Sequence, residues 1–355
     1  MQSENYYINP YIKDLYRVKF HDKREDVLRL DMNESPMGLP VEFVEKVKEK
    51  ITPEYLSMYP EKDELADLLA EHNGLKAENI SITDGSDEAM RLAFQCFGEA
   101  GKEVLTVFPT FEMYDVYSKM FGMKHVEVAY DDDFEVSADE ILERIGEQTS
   151  LVILLNPNSP IGTAFSQSEM EQVIKKAAQN DAIVVVDEAY HYYMQETVMP
   201  LIGTYDNLLV LRTFSKLCAI AGLRIGYVAG NEMLIHYIDN AQSTFNVNNV
   251  AILFAKEIVQ TQGLLKQLRD QWEEGHEYTL QQLRKMGYEV RSGYGNYILL
   301  FPNRDSKELI AAMKEKDVWI RDYGRGLLKG WVRVSTGDKK SMERFVRVLS
   351  ESDYK

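Results

Sequence analysis

Lys216 stands in an unusual place for a lysine. In Arg212-Thr213-Phe214-Ser215-Lys216 it follows an apolar run, Leu208–Leu211, and has hydroxyl residues just before it. Lysines ordinarily occupy solvated faces. One that is held in a site and deprotonated there can form a Schiff base and carry protons. Arg224, eight positions on within Ala221-Gly222-Leu223-Arg224-Ile225-Gly226, offers a two-pronged fork to a phosphate. A second segment, Val186-Asp187-Glu188-Ala189-Tyr190, ends an apolar run in a carboxylate, with a phenol three residues later. That carboxylate can keep a heterocyclic nitrogen protonated; taken alone, Asp187 reads equally well as a helix cap. A third segment, Thr83-Asp84-Gly85-Ser86-Asp87-Glu88, places backbone N–H groups and a glycine at a helix start. This makes an anion site, although taken alone it is a plain cap by Ser86 or Asp87.

These segments need a scaffold that brings their ends together. From about residue 80, short apolar runs alternate with helical stretches. The runs are Ile80–Thr83, Val104–Phe108, His125–Ala129, Leu151–Leu155, Ala182–Val186, Leu208–Leu211 and Ile225–Ala229. Continuous apolar runs suit strands buried on both faces. Helices are expected at 61–74, 87–97, 112–121 and 167–179. The fold class is therefore α/β: a mostly parallel sheet with helices on both faces. Ligands in such sheets lie beyond the carboxyl ends of the strands, where the three segments fall. Ala251 to Met286 reads as one long helical stretch. A strand–helix–strand–strand–helix tail follows, with strands at Tyr288–Arg291, Tyr297–Phe301, Val318–Arg321 and Trp331–Ser335, and helices at 306–316 and 339–351. The expected division is an N-terminal arm (1–40, with a charged stretch His21 to Asp26), a large domain (41–250) and a small α+β domain (251–355).

Composition narrows the partners. The 355 residues carry 57 acidic and 40 basic side chains, a net charge of -17. Such a surface repels phosphate backbones, so nucleic acid is not an expected partner. Cys96 and Cys218 form no metal spacing or disulfide framework, and the six histidines show no metal pattern. No metal is inferred. No run approaches the about 18–20 apolar residues that span a bilayer, and no leader pattern opens the chain; a cytoplasmic protein is expected. The run Asp131–Asp133 reads as a solvated loop, His191 as locally hydrogen-bonded, and Cys218 as a small buried residue.

Taken together, Arg212 to Gly226, Asp187-Glu188-Ala189-Tyr190, Gly85-Ser86-Asp87-Glu88, Asn33-Glu34-Ser35-Pro36, Tyr59-Pro60, Pro109-Thr110-Phe111, Asn156 to Gly162, Arg321-Asp322 and Arg333-Val334-Ser335 resemble the fold-type-I pyridoxal-phosphate enzymes. The similarity is to the histidinol-phosphate aminotransferase branch and runs from Leu30 to about Val348. The resemblance implies a large domain with a mostly parallel mixed sheet and a smaller α+β domain. It implies pyridoxal 5'-phosphate held by Lys216, which also moves the proton at the substrate α-carbon. Asp187 then partners the ring nitrogen and Tyr190 the ring oxygen, while Phe111 stacks on the ring face. Gly85, Ser86, Thr213, Ser215 and Arg224 form the phosphate cup, with Asp87 beside it. Tyr59 reaches the cofactor phosphate of a second subunit, which implies a homodimer. Arg333 clamps the substrate α-carboxylate, Arg321 meets a distal phosphate, and Asn33 and Tyr11 border the substrate. Small-molecule amino acids and 2-oxo acids are the expected partners.

The chain departs from the family pattern at three places. Asn158-Ser159-Pro160-Ile161-Gly162 stands where Asn-Asn-Pro-Thr-Gly is usual. Ser159 thus replaces an asparagine that bonds the ring oxygen, and more of that task falls to Tyr190. Ser35 and Met37 replace Asn and Tyr at the substrate rim. The insert 324–329 brings Arg325 and Lys329, either toward a distal pocket or into an exposed hairpin. The cofactor does not itself select transamination. A decarboxylase of the threonine-phosphate type, an aromatic amino acid aminotransferase and a non-catalytic binding protein on the same fold stay open.

Overall fold

The structure, a computed structural model, describes residues 6–15, 23–194 and 196–353. His21 and Asp22 of the charged stretch, with the start of the arm, lie outside the described residues. Thirteen strands are present among those described: β1 Leu28–Arg29, β2 Ile80–Thr83, β3 Glu103–Phe108, β4 Lys124–Ala129, β5 Thr149–Leu155, β6 Ile183–Asp187, β7 Leu208–Thr213, β8 Gly226–Gly230, β9 Glu289–Ser292, β10 Tyr297–Phe301, β11 Val318–Trp319, β12 Arg321–Asp322 and β13 Val332–Ser335.

Seven strands form the central sheet in the order β2-β8-β7-β6-β5-β3-β4. The pairs from β7 through to β4 are parallel, and β8 is antiparallel to both its neighbours. Val184, Val185 and Val186 of β6 and all of Leu208–Leu211 are fully buried, which is why these runs carry no alternation. Helices flank the sheet and begin as their sequences dictate. Ser137 with Glu140, and Ser166 with Glu169, close capping boxes ahead of the helices Ala138–Arg144 and Gln167–Ala178. The orientation of β8 matters most for the site. Gly226 pairs with both Thr83 and Thr213. An antiparallel strand therefore starts at the edge where β2, β6 and β7 end, and it delivers Arg224 there.

A second, antiparallel sheet has the order β12-β13-β10-β9. Its core gathers Ile298, Leu300, Val332, Val334 and Phe345, and also Leu28 and Leu30 from near the N-terminus. β1 pairs in parallel with β11, Leu28 opposite Val318. The N-terminal segment is thus sewn to the last third of the chain.

Two expectations need correction. The stretch Ala251 to Met286 is two helices, Asn249–Gln260 and Leu264–Lys285, separated by Gly263 at φ +80°. Glycine adopts this left-handed conformation without a Cβ penalty, and it opens the second helix as its N-cap, two residues past the Thr261 that closes the first. The helix Asn249–Gln260 and the start of the next, through Trp272, pack into the larger core. The expected strand Val318–Arg321 is likewise two, because β11 pairs with β1 whereas β12 pairs with β13. The insert lies in the connection between the antiparallel strands β12 and β13, where Gly326–Leu328 forms a single 3-10 turn; Leu328 is buried, and Arg325 and Lys329 are exposed. Among the described residues no helix is long and apolar enough to cross a membrane.

Candidate active site

The carboxyl edge of the central sheet gathers most of the residues singled out above. The helix Gly85–Phe97 starts there, directly after β2. Its first N–H groups have no acceptor within the helix and carry the positive end of its dipole. Gly85 has φ +75°, and a Cβ built on it would lie 2.8 Å from Arg224 Nη2. Only glycine lets the helix start and the guanidinium approach so closely. Arg224 Nη1 also stands 3.5 Å from Ser215 Oγ, and Thr213 Oγ1 donates to Ser215 Oγ at 3.0 Å. Tyr117 donates to Asp87 Oδ1 at 2.9 Å beside this cup. The helix start, a guanidinium and two hydroxyls converge on one place, as a phosphate requires.

Asp187 ends β6 and is 4% exposed. Burial pushes its carboxyl up to about 6, while the Tyr114 hydroxyl, the Ala189 N–H and the nearby Lys216 oppose the shift. Tyr114 donates to Oδ2 at 3.0 Å and the Ala189 N–H to Oδ1 at 3.1 Å. Tyr114 is fully buried, and burial first and Asp187 second raise its phenol well above the ordinary range. Sequence reasoning missed it. Its signal was its position three residues after Phe111, one turn along the same helix start. Phe111 itself stays 41% exposed and meets Tyr114 edge-on at 5.6 Å.

Lys216 Nζ lies 3.3 Å from the Met32 carbonyl and 5.7 Å from the centre of the Tyr190 ring. Arg333, on β13, donates through Nη2 to the Asp31 carbonyl at 2.7 Å and through Nη1 to Tyr323 at 2.7 Å. It also reaches Ser159 Oγ at 3.4 Å, and its buried Nε has no hydrogen-bond partner among the described residues. Asn33 Nδ2 donates to Tyr190 at 2.8 Å and to Ser159 Oγ at 3.3 Å. Ser159 therefore lies between Asn33 and Arg333. Asn158 is at the site too, but its amide holds the neighbouring loop. Its Oδ1 accepts from Thr110 at 2.7 Å and its Nδ2 donates to the Pro109 carbonyl at 2.9 Å.

Three residues sit farther out. Arg321 lies at the rim, 3.4 Å from Glu112 and 5.8 Å from the Tyr323 ring centre. Tyr59 is exposed and stacks on Phe245 at 4.2 Å. Tyr11 is not brought to the site within one chain. Its ring packs on Gly122, which precedes β4 at the opposite edge of the sheet. His191 makes the local bond expected of it, Nδ1 to the Glu188 carbonyl at 3.1 Å. Cys218 is fully buried, and burial pushes its thiol up to about 12.

A buried ion pair braces the strand ends beneath the site. Arg212 Nη2 and Nε bond Glu188 Oε2 at 2.8 and 2.9 Å, and both side chains are almost wholly buried. Glu188 follows Asp187 and Arg212 precedes Thr213, so the pair ties β6 to β7. Arg212→Met leaves Glu188 without its cation and is expected to cost about 3–5 kcal/mol in urea unfolding. A loss below about 1 kcal/mol would contradict the bracing role.

The residues present fit pyridoxal phosphate. The cup suits its phosphate. A buried carboxylate with two neutral donors and, among the described residues, no ion-pair partner suits a protonated ring nitrogen, and the phenol and lysine converge between them. The comparisons agree. A family model described as aminotransferase class I and II matches residues 25–349. The chain is 31% identical over 328 residues to the histidinol-phosphate aminotransferase of Thermoanaerobacter pseudethanolicus, covering 91% of this chain and 92% of that protein. The structure of histidinol-phosphate aminotransferase from Sinorhizobium meliloti in complex with pyridoxal-5'-phosphate superposes with a TM-score of 0.85 at 22% identity, covering 97% of each chain. L-threonine-O-3-phosphate decarboxylase from Porphyromonas gingivalis superposes with a TM-score of 0.76 at 24% identity, covering 91% of this chain and 98% of that one. The two superpositions speak for the fold alone. The sequence match and the family model carry the rest: the chain belongs to the class I and II aminotransferases and is a pyridoxal-phosphate-dependent enzyme that transfers amino groups.

Proposed function

We propose that the chain moves the amino group of histidinol phosphate, or of an amino acid like it, to a 2-oxo acid such as 2-oxoglutarate. One observation supports this most. Two guanidiniums, Arg333 and Arg321, flank Tyr323 at 5.6 and 5.8 Å, and Arg333 reaches toward Tyr190 through Ser159 and Asn33. A single rim then accepts a carboxylate in one half-reaction and a phosphate in the other. The relative from Thermoanaerobacter pseudethanolicus is named for the same substrate.

Pyridoxal phosphate, when bound, supplies an electron sink for the α-carbon. The chain's residues do the rest. Gly85, Ser86, Thr213, Ser215 and Arg224 hold the phosphate, and Phe111 covers a ring face. Asp187, steadied by Tyr114, keeps the ring nitrogen protonated, and Tyr190 donates to the ring oxygen. Lys216 would be the covalent anchor, and once released its Nζ would take the proton from the substrate α-carbon and return it on the far side of the bridging nitrogen. Arg333 would hold the α-carboxylate of the 2-oxo acid and its amino-acid product, and the phosphate end of histidinol phosphate, which has no carboxylate, so that the α C–H bond is the one cleaved. The enzyme works as a homodimer in this reading. Tyr59, Leu56, Met58 and Phe245 form an exposed apolar group fit to meet a second copy and bring Tyr59 to its phosphate.

The test is a panel of amino donors, histidinol phosphate and aromatic amino acids included, with 2-oxoglutarate. Glutamate formation with histidinol phosphate at the highest kcat/KM is the expected result, with parallel initial-rate lines as two half-reactions require. Carbon dioxide release from the amino acids of the panel, without a keto product, would overturn the reading in favour of decarboxylation.

A further inference from the structure

Asn33 occupies a junction that the chemistry above does not use. It is 1% exposed, and its backbone is left-handed at φ +57°. Such a conformation persists in a non-glycine residue only when its surroundings hold it. Here they do. The Asn33 N–H donates to Ser335 Oγ at 2.9 Å, and that hydroxyl donates to Asn33 Oδ1 at 3.0 Å. Asn296 Nδ2 donates to the Asn33 carbonyl at 3.1 Å. With Oδ1 claimed by a hydroxyl donor, the amide has one orientation left, and Nδ2 faces Tyr190 and Ser159. Ser335 ends β13 and Asn296 directly precedes β10, so both anchors belong to the smaller sheet.

A phenol oxygen that accepts a hydrogen bond keeps its own O–H for another acceptor, and bonds in series strengthen one another. Resting on the reading of Tyr190 as donor to the cofactor's ring oxygen, we propose that Asn33 is a positioning residue for Tyr190. Its amide fixes the phenol as a donor and ties that donation to the seating of the smaller sheet. Other charged and titratable groups face Tyr190 without replacing this bond. Lys216 Nζ is 5.7 Å from its ring centre and the Tyr297 ring meets it edge-on at 5.2 Å. Tyr114, Tyr193 and Tyr323 lie within electrostatic range. Asp187 is three residues away in sequence, and Arg333 approaches through Ser159. Among the described residues, the hydrogen-bond partner of the Tyr190 oxygen is Asn33.

The experiment is a pH titration of the visible absorption band of the cofactor-loaded enzyme, with the fold of each variant checked by circular dichroism. A donor to the ring oxygen would draw off negative charge that otherwise holds a proton on Lys216 Nζ where it joins the cofactor. Weaker donation therefore raises the midpoint. Asn33→Ala is expected to raise it by about 0.5–1 pH unit, and to add nothing further in a Tyr190→Phe background, because the two act as one unit. Ser335→Ala, which frees the amide to rotate, shifts it the same way by less and decides the matter if Asn33→Ala does not fold. An unchanged midpoint in Asn33→Ala and Ser335→Ala, while Tyr190→Phe shifts it, overturns the proposal and leaves the role of Tyr190 standing. An equal shift in both backgrounds also overturns it, since Asn33 would then act by another route. No shift in Tyr190→Phe removes the role of Tyr190 and the proposal with it.

Discussion

Lys216→Ala is expected to bind pyridoxal phosphate without a covalent link and to lose turnover by at least about 10²–10⁴-fold, the usual worth of a positioned base. The expectation rests on location. The lysine follows β7 directly, and its Nζ is held between the Met32 carbonyl and the Tyr190 ring. Among the described residues no other lysine is placed there. Arg224 and the start of the helix Gly85–Phe97 remain intact in the variant, so the phosphate cup persists and cofactor is still retained. Stopped-flow traces should show loss of the half-reaction with amino donor. An external amine added at high concentration should restore part of the rate, because it replaces the missing base but not its positioning. Turnover within a few-fold of the parent enzyme would remove Lys216 from the chemistry.

Asp187→Asn is expected to make the protein without cofactor more stable and the enzyme with cofactor nearly inactive. Burial raises the Asp187 carboxyl to about 6 in the folded chain. A group raised on folding contributes its stability below the unfolded value and loses it as pH climbs through the folded one. Charging Asp187 thus costs the folded protein stability above about pH 6. The full shift corresponds to about 3 kcal/mol. Urea unfolding without cofactor should show the asparagine variant ahead by about 1–3 kcal/mol at pH 8 and level with the parent near pH 4. With cofactor the order reverses, since a neutral amide cannot hold the ring nitrogen protonated, and kcat should fall at least about 10²-fold. Equal stability of the two proteins at pH 8 would show that the buried charge is not the cost it is taken to be. Function here is set against folding at one carboxylate, and the cofactor's nitrogen is what offsets it.

The central sheet was legible because its strands are continuous apolar runs. β2 lies where Ile80–Thr83 was expected, and in the smaller sheet β10 lies where Tyr297–Phe301 was expected. The elements that escaped detection depend on distant pairing. Nothing local says that Val318–Trp319 belongs with Leu28–Arg29 and Arg321–Asp322 with Val332–Arg333, since those partners are set by tertiary packing. Gly263 did carry a stop signal that the helical periodicity on both sides outweighed. At the site, residues that follow strands were legible by rule. Arg224 was legible by motif, but its reason is structural: β8 runs backwards and starts where its neighbours end. Tyr114 and Asn33 illustrate two kinds of difficulty. Tyr114 looks like an ordinary aromatic on an amphipathic helix until its hydroxyl is seen on Asp187. Asn33 was placed near the substrate, yet its partners Ser335 and Tyr190 come from segments far apart in sequence. Tyr11 shows the opposite: position in a motif order does not place a side chain when its segment packs on the far edge of the sheet.

Mapping the cofactor's attachment point tests the central claim most directly. The enzyme loaded with pyridoxal phosphate is treated with borohydride, digested, and its peptides are weighed. The added mass should lie on the peptide carrying Lys216, and an amino donor supplied beforehand should prevent the labelling. A label on another lysine, or none on a protein that still turns over, would contradict it.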